Sequence, residues 1–316
     1  MSSEPNIAVL DDFQNVALKM ADWSPLDGKA NVTVFTDHVV DDNALVERLL
    51  PFDIICVMRE RTPLPRAVLE RLPRLKLIAS TGVFNSSIDL AAAKERGIEI
   101  VHTRYDSTAA IELTWALILA GARHIAAENA SLRSGGWQQH LGSALSGSTL
   151  GILGLGHIGG VVAKIAKAFN MNVVAWSENL TPSRAAEFGA RHVSKEQLFR
   201  ESDVVSIHLV LSRRTRGLVS ATELGLMKPT ARLVNTSRGA IVVEADLISA
   251  LREGRIANAA LDVFDEEPLP PQHPFRTLPN VLATPHIGFV SDDLYRLFYG
   301  DTVTNIVRWL EKGAAS

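Results

Sequence analysis

The sequence predicts an α/β protein with two domains, each built on a parallel sheet. Short, continuous apolar runs recur between helical patterns along the 316 residues, and one of these runs ends in a glycine motif that opens a helix. Continuous rather than alternating apolar runs are typical of strands that are buried on both faces, as parallel strands are. With 47% hydrophobic residues, a chain of this length has enough apolar material for two cores.

The glycine motif consists of Gly154, Gly156 and Gly159. In this G-x-G-x-x-G pattern the first glycine permits a tight turn, and the second lets a pyrophosphate approach without meeting a Cβ. The third lets the following helix pack closely on the strand. Free N–H groups and the positive dipole at the helix N-terminus then attract the anion. The motif therefore predicts a dinucleotide-binding βαβ unit.

The apolar runs form two series, which predict two sheets. The first series is 7–10, 32–35, 54–58, 75–79 and 98–101, and the second is 149–153, 173–176, 204–209, 232–235, 259–263 and 281–284. Six strands after one glycine turn are typical of a complete dinucleotide-binding sheet. Helices are expected at 67–71, 89–96, 109–123, 161–169 and 292–311.

The last helix, 292–311, has no strand of its own to cover in the second series, so it is expected to return to the first domain. The predicted boundaries are 1–102 plus 287–316 for a flavodoxin-like domain, and 103–286 for a Rossmann domain. A cleft between the two domains is expected to hold the ligands.

Bulk properties narrow the function. A net charge of −3 and a pI near 6.3 argue against a nucleic-acid partner. The single cysteine, Cys56, excludes an internal disulfide, and its apolar run predicts a buried strand residue rather than a nucleophile. The first residues show no secretory leader, and no apolar run approaches the ~20 residues of a membrane span. The sequence therefore predicts a cytoplasmic protein without membrane contact.

Polar groups follow three strands of the second series. Arg238 follows the strand 232–235, an acidic segment 262–267 follows the next strand, and His286 follows the last one. Because the carboxyl ends of parallel strands line the ligand crevice of an open sheet, all three are expected to face the bound cofactor.

The segments 227–229, 235–239, 261–264 and 285–288 read Met-Lys-Pro, Asn-Thr-Ser-Arg-Gly, Leu-Asp-Val-Phe and Pro-His-Ile-Gly. With these segments in this order, the chain resembles the D-isomer-specific 2-hydroxyacid dehydrogenases over nearly its full length. This family includes phosphoglycerate, glyoxylate and hydroxypyruvate reductase-like enzymes. The resemblance implies an NAD(P)-dependent oxidoreductase that acts on the CH–OH group of a small 2-hydroxy acid, or in reverse reduces a 2-keto acid.

The resemblance places the catalytic arginine at Arg238, the acid at Glu267 and the histidine at His286. An imidazole is suited to donate the proton because it titrates near neutral pH. Glu267 would bond its other nitrogen and favour the charged ring, and only the family spacing selects Glu267 over Asp265 and Glu266. The planar fork of Arg238 suits the substrate carboxylate and would polarise the carbonyl.

The resemblance also implies the cofactor contacts. Backbone N–H groups of His157 and Ile158 would meet the pyrophosphate, and Asp262 would hold the nicotinamide carboxamide. Thr236 is expected as a further cofactor contact. No metal is implied.

One position departs from the usual NAD pattern. An acidic residue commonly follows the glycines by ~20 positions to hold the ribose hydroxyls. Here that position is Ser177, with Glu178 beside it. Ser177 would not repel a 2′-phosphate and Arg184 would attract one, whereas Glu178 would accept the hydroxyls. The sequence favours NAD and leaves NADP open.

The first domain is expected to supply the rest of the substrate pocket. In the family, amides of a glycine-containing loop hold the substrate carboxylate, and this role falls on Val83 and Phe84. The Phe84 ring is bulkier than is common there, and is expected to narrow the pocket or stack on the substrate. Arg59 and Arg61, just past the strand 54–58, are candidates to bind a second anionic group, and a surface charge without a ligand is the alternative for each.

Two other functions are compared here with the enzymatic one. A nicotinamide-sensing scaffold without significant turnover, like the C-terminal-binding corepressors, can retain the same three residues, so it stays an alternative. Formate dehydrogenase is disfavoured because that relative pairs its histidine with glutamine. A homodimer is expected by resemblance, through the region 109–123. The identity of the 2-keto acid is not readable from one sequence.

Overall fold

The computed structural model describes residues 4–314 and forms two compact units. One comprises Met1–Asp106 with Val290–Ser316, here called unit 1, and the other comprises Ser107–Phe289, here called unit 2. Residues 1–3, on which the leader expectation partly rests, lie outside the described part. Within the described residues, no single helix is long and apolar enough to cross a membrane.

Strands and helices alternate through most of the chain, and the predicted fold class of two parallel-sheet α/β domains is confirmed. The strands are β1 (Asn6–Val9), β2 (Asn31–Val34), β3 (Ile54–Val57), β4 (Leu77–Ser80), β5 (Glu99–His102), β6 (Thr149–Leu153), β7 (Asn172–Trp176), β8 (Arg191–His192), β9 (Val204–Ile207), β10 (Arg232–Asn235), β11 (Asn258–Leu261) and β12 (Val281–Ala283). The helices are α1 (Ala17–Met20), α2 (Asp42–Leu49), α3 (Arg66–Leu69), α4 (Leu90–Glu95), α5 (Thr108–Arg123), α6 (Ile125–Arg133), α7 (His157–Ala168), α8 (Pro182–Glu187), α9 (Lys195–Glu201), α10 (Ala221–Leu226), α11 (Glu244–Arg252) and α12 (Asp292–Ala314).

Unit 1 is built on a parallel sheet whose described strands follow the order β2-β1-β3-β4-β5. All four residues of β3 and all four of β4 are buried, because helices cover both faces of the sheet, and this is why their sequences read as continuous apolar runs. Cys56 lies in β3, where burial raises the pKa of its thiol to about 12. A thiol in that state is a packing group and not a nucleophile.

Unit 2 carries a parallel sheet whose described strands follow the order β12-β11-β10-β9-β6-β7-β8. The order reverses at β6, which pairs with β7 on one side and with β9 on the other. That reversal is the switch point at which open α/β sheets bind their ligands. The sequence analysis did not name β8, a two-residue strand of polar side chains at the sheet edge. It also did not name several short helices, nor α6, whose residues are nowhere buried.

A partly buried ion pair joins two helices of unit 2. Ser220 and Glu223 form a capping box at the start of α10, and Lys195 Nζ at the start of α9 lies 2.7 Å from Glu223 Oε1. Burial alone raises the pKa of Glu223. Hydrogen bonds from Lys195 and from the hydroxyl and amide of Ser220 outweigh it and lower that pKa to about 2.

We expect Glu223→Gln to lower the free energy of unfolding by about 2 kcal/mol at pH 7, because the charged partner of Lys195 is lost. An unfolded glutamate titrates near pH ~4.3, so this stabilisation is complete above that pH and disappears as the pH falls towards about 2. Denaturant titrations should therefore show that the difference in free energy of unfolding between the native chain and Glu223→Gln is smaller at pH 3 than at pH 7. The control is Glu196→Gln, which removes the exposed Glu196–Arg200 pair. If both variants lose the same free energy of unfolding at pH 7, the account is contradicted.

Candidate active site

Three loops of unit 2 lie side by side at the carboxyl edge of its sheet. Asn235, the last residue of β10, is in register with Leu261 of β11, and Leu261 is in register with Ala283 of β12. Neighbouring strands are about 4.8 Å apart, so the segments that follow them share one edge. These segments carry Arg238, Glu267 and His286.

The side chains of His286 and Glu267 meet directly. His286 Nδ1 lies 2.5 Å from Glu267 Oε2, and Glu267 Oε1 accepts the N–H of Phe264 at 2.9 Å. An ionised carboxylate can only accept, so the ring carries its proton on Nδ1 and Nε2 is left facing outwards. Within residues 4–314, Nε2 has no hydrogen-bond partner, and the side chain is 24% exposed. The arrangement provides an oriented imidazole that can give or take a proton at Nε2.

A buried carboxylate fixes the loop that carries His286. Asp262 Oδ1 accepts the hydroxyl of Thr284 at 2.6 Å and the N–H of Ile287 at 2.8 Å, while Oδ2 accepts the N–H of Gly288 at 2.8 Å. Asp262 is fully buried, and that burial raises its pKa against the lowering effect of these bonds and of His286. His286 has φ +50°, a left-handed conformation that a non-glycine residue keeps only where its surroundings enforce it.

Hydrogen bonds between residues close in sequence hold the loop that carries Arg238. Buried Asn235 donates its side-chain amide to the Arg238 carbonyl at 3.0 Å and accepts the Ser237 N–H at 3.1 Å. Ser237 Oγ donates to the Ile207 carbonyl of the neighbouring strand β9. A Cβ on Gly239 would overlap the backbone of Phe264, so the Arg238 turn lies directly against the segment that leads to Glu267.

The guanidinium of Arg238 is partly buried, and its Nη1 donates to the Ser237 carbonyl at 2.8 Å. The predicted pair Glu267 and His286 is thus brought into direct contact. Arg238 is placed on the adjacent loop of the same sheet edge.

The glycine turn has the shape that a dinucleotide pyrophosphate requires. Gly154 has φ +104°, and a Cβ there would lie 2.6 Å from the His208 carbonyl oxygen. A Cβ on Gly159 would overlap the Gly154 carbonyl, whereas one on Gly156 would meet nothing within 4 Å. The space beside Gly156 is therefore open at the point where the phosphates would pass.

The amides beside this space are available to an anion. Helix α7 begins at His157, and no side chain caps its N-terminus. In the described chain, the N–H groups of His157, Ile158 and Gly159 donate to no protein acceptor. Twelve helical residues with an uncapped N-terminus attract negative charge, so these residues fit a pyrophosphate group.

Ser177 and Glu178 directly follow β7, next to the glycine turn, where the Gly154 N–H donates to the Trp176 carbonyl. Glu178 is exposed and Ser177 is partly buried. Arg184, the sequence candidate for a 2′-phosphate, forms an ion pair with Glu187, and its guanidinium lies 4.6 Å from the centre of the Phe188 ring.

The predicted substrate loop of unit 1 follows β4. Gly82, with φ +83°, donates its N–H to Thr103 Oγ1 at 2.7 Å and turns the chain outwards. Val83 and Phe84 are exposed, and their amides donate to no acceptor within residues 4–314. Two free amides on a fixed turn can bind a carboxylate.

Arg59 lies against this same loop. Its backbone has φ +54°, and the side chains of Thr81 and Asn85 bond its N–H and carbonyl. A Cβ on Gly82 would overlap Arg59 Nη1, so the guanidinium covers the glycine. It also lies 5.1 Å from the centre of the Tyr105 ring. Its charge is thus held close to the Val83 amide.

The sequence analysis assigned no role to two residues of the site, Thr284 and Thr114. Thr284 binds Asp262, and Thr114 in helix α5 places its hydroxyl 2.8 Å from that of Thr236. Thr114 is the one hydroxyl in the apolar run Leu113–Ala120. A single hydroxyl within an apolar helical run was the feature of the sequence that could have indicated Thr114.

Comparisons with known proteins agree on one family. The model of the D-isomer specific 2-hydroxyacid dehydrogenase NAD binding domain matches residues 115–288. A glyoxylate reductase of Aeropyrum pernix is 47% identical over 69% of this chain and 68% of its own length. A D-3-phosphoglycerate dehydrogenase of Methanocaldococcus jannaschii is 35% identical over 95% of this chain and 59% of its own length. The crystal structure of a phosphoglycerate oxidoreductase from Vibrio cholerae superposes with a TM-score of 0.93 at 38% identity, covering 98% of this chain and 99% of that one.

We expect Gly156→Ala to weaken NADH binding by roughly tenfold or more, because its Cβ occupies the open space beside the turn. The fold should lose less than about 1 kcal/mol, the usual cost of alanine at a helix N-cap. Gly159→Ala is the contrast, since its Cβ overlaps the Gly154 carbonyl and should cost about 1–3 kcal/mol of stability. Fluorescence titration and thermal unfolding measure both effects, and unchanged NADH affinity in Gly156→Ala would contradict the assignment.

Proposed function

The chain belongs to the D-isomer specific 2-hydroxyacid dehydrogenases and is an NAD-dependent oxidoreductase of that class, and we propose that it works mainly as a 2-keto acid reductase with His286 as proton donor. Reduction of a 2-keto acid needs a hydride on the carbonyl carbon and a proton on its oxygen. The nicotinamide supplies the hydride when it is bound. The chain must therefore orient the acid, supply the proton and exclude water.

One observation carries the proposal: Glu267 contacts the Nδ1 side of His286, and Nε2 has no partner among residues 4–314. Glu267 fixes one ring proton on Nδ1, so in the charged ring the second proton is held at Nε2. That proton passes to the carbonyl oxygen as the alcohol forms. In the reverse direction the neutral ring accepts it.

Arg238 complements the histidine. A guanidinium presents two parallel N–H groups, so it can bind the substrate carboxylate and also polarise the adjacent carbonyl. The loop of unit 1 keeps its predicted role as well: the amides of Val83 and Phe84, which donate to no acceptor among the described residues, are proposed to bind a substrate carboxylate. Arg59, packed on Gly82, adds positive charge behind this loop and would meet a second anionic group on the substrate.

For the cofactor we propose the same binding residues that the sequence analysis predicted. The amides of His157 and Ile158 and the open space beside Gly156 would hold the pyrophosphate. Thr236 and Asp262 would lie near the nicotinamide. We favour NAD over NADP because Arg184 is engaged with Glu187 and Phe188, while Glu178 is exposed beside the turn. Ratios of kcat/KM for NADH and NADPH test this preference.

We propose a short 2-keto acid as substrate, since relatives that match much of this chain are named as glyoxylate reductases. The exposed Phe84 ring limits the bulk that the loop tolerates. A screen of glyoxylate, hydroxypyruvate, pyruvate and longer 2-keto acids would identify it. A reducing, cytoplasmic setting remains part of the proposal.

A homodimer is the second part of the proposal. Helix α5, where the resemblance placed the contact, buries one face in unit 2 and leaves Leu119 exposed. Further exposed apolar side chains lie just after this helix, on Ile125, Leu132, Trp137 and Leu141, the last two being 72% and 95% exposed. Apolar groups concentrated in one short segment are typical of an interface, and a second copy of the chain is the occupant we propose.

His286→Ala should lower kcat by roughly 10²–10⁴-fold, because no group remains to donate the proton. Folding and NADH binding should persist. Glu267→Gln should also lower kcat, because the amide can offer an N–H to Nδ1 and no longer fixes the proton of the ring at that nitrogen.

Glu266→Gln is the matched control, since it removes the neighbouring carboxylate and should leave kcat unchanged. Wild-type rates in His286→Ala would refute the assigned role. If the native chain binds NADH but turns over none of the 2-keto acids, the reductase proposal fails.

Trp137→Asp combined with Leu141→Asp should shift the chain from dimer to monomer in sedimentation velocity, because charges replace apolar contacts. Val40→Asp is the control, since Val40 is 75% exposed and lies outside this segment. A dimer of unchanged stability in the double variant, or a native chain that is monomeric at micromolar concentration, would contradict the interface.

A further inference from the structure

Helix α5 carries a buried hydroxyl that contacts the loop of the candidate active site. Thr114 is 0% exposed, and its Oγ1 lies 2.8 Å from Oγ1 of Thr236. Thr236 is the first residue after β10 and stands two positions before Arg238. It is only partly buried, so one side of it is open.

The direction of this hydrogen bond follows from counting protons. Thr114 Oγ1 also lies 2.8 Å from the Ala110 carbonyl, which can only accept, so the single proton of Thr114 is donated there. The bond between the two hydroxyls must then use the proton of Thr236. Thr236 is left with lone pairs on its open side and no proton to offer.

The same helical turn also supports the histidine loop. A Cβ placed on Gly288 would lie 3.7 Å from Leu113 Cδ2 and 4.0 Å from the Ala110 Cα. It would also lie 3.0 Å from Asp262 Oδ2, the atom that accepts the Gly288 N–H. Ala110–Thr114 therefore lies beneath the loops of both Arg238 and His286.

We propose that Thr114 is a positioning residue for the reaction, acting through Thr236. Its hydroxyl holds the start of the Arg238 loop and makes Thr236 a pure hydrogen-bond acceptor towards the cofactor. The group that suits such an acceptor is an N–H donor, and the carboxamide of a bound nicotinamide is one. This inference rests on the proposed function for its catalytic consequence, but its effect on dinucleotide binding stands apart from turnover.

Thr114→Val tests the inference because it keeps the shape and removes only the hydroxyl. Without its acceptor, Thr236 can rotate and turn its proton towards the cofactor. We expect the Kd for NADH to rise and kcat to fall, each by about threefold to tenfold, the usual effect of one hydrogen bond. Thr114→Ser restores the hydroxyl and should restore both values. Binding is measured by NADH fluorescence and turnover by steady-state kinetics.

Two further variants separate positioning from simple stability. Thr302→Val removes another buried threonine hydroxyl, one without a hydrogen-bond partner in the described structure, and should change neither Kd nor kcat. In a double-mutant cycle, Thr114→Val should have little further effect on NADH affinity once Thr236→Val is present.

Native-like Kd and kcat in Thr114→Val would overturn the inference, and so would additive effects in the cycle. A change in melting temperature without a change in Kd or kcat would also overturn it. Should the native chain turn over no 2-keto acid, the proposed function fails, but the NADH titration still decides this inference.

Discussion

The carboxylate of Asp262 is the interaction on which the candidate active site depends. It lies in the sheet interior at the end of β11, where an unpaired charge is costly, and it is offset by three donors from one loop. Those donors are the Thr284 hydroxyl and the amides of Ile287 and Gly288. Because the carboxylate holds the chain before and after His286, it maintains the left-handed backbone at that residue. The imidazole then points at Glu267, and its far nitrogen stays open.

The positions of the other site residues follow from where the parallel strands of unit 2 end. Loops after β10, β11 and β12 share one sheet edge. The first two are joined by close backbone packing, and the last two by hydrogen bonds to the Asp262 carboxylate. Gly239 lies against Phe264, whose amide binds Glu267. Helix α5 supports the outer two loops from below, through Thr114 and Ala110. At the reversal between β6 and β9, the glycine turn leaves room for the dinucleotide. The fold thus places the glycine turn, His286 and Arg238 on the same compact unit.

Much of this arrangement could be predicted from the sequence, and the limits have physical causes. Continuous apolar runs identified the long strands because both faces of the sheets are buried, while the two polar residues of β8 gave no such signal. Family motifs pointed to Glu267 and His286, but not to the bonds that orient them. The resemblance assigned Asp262 to the cofactor, but it did not indicate the three backbone and hydroxyl donors, more than 20 residues away, that this carboxylate binds. Thr114 and Thr236 are 122 positions apart, and only the packing of α5 on the sheet brings their hydroxyls together.

Asp262, Glu267 and the backbone at His286 together orient one imidazole, and we propose that its Nε2 faces the reacting oxygen of the substrate. A crystal structure of the chain with NADH and the keto-acid analogue oxamate tests this most directly. The account predicts that His286 Nε2 lies within hydrogen-bonding distance of the oxamate carbonyl oxygen, with Nδ1 still on Glu267 and the Arg238 guanidinium on the inhibitor. An inhibitor bound beside the nicotinamide with the His286 ring turned away from it, or with its bond to Glu267 broken, would contradict the account.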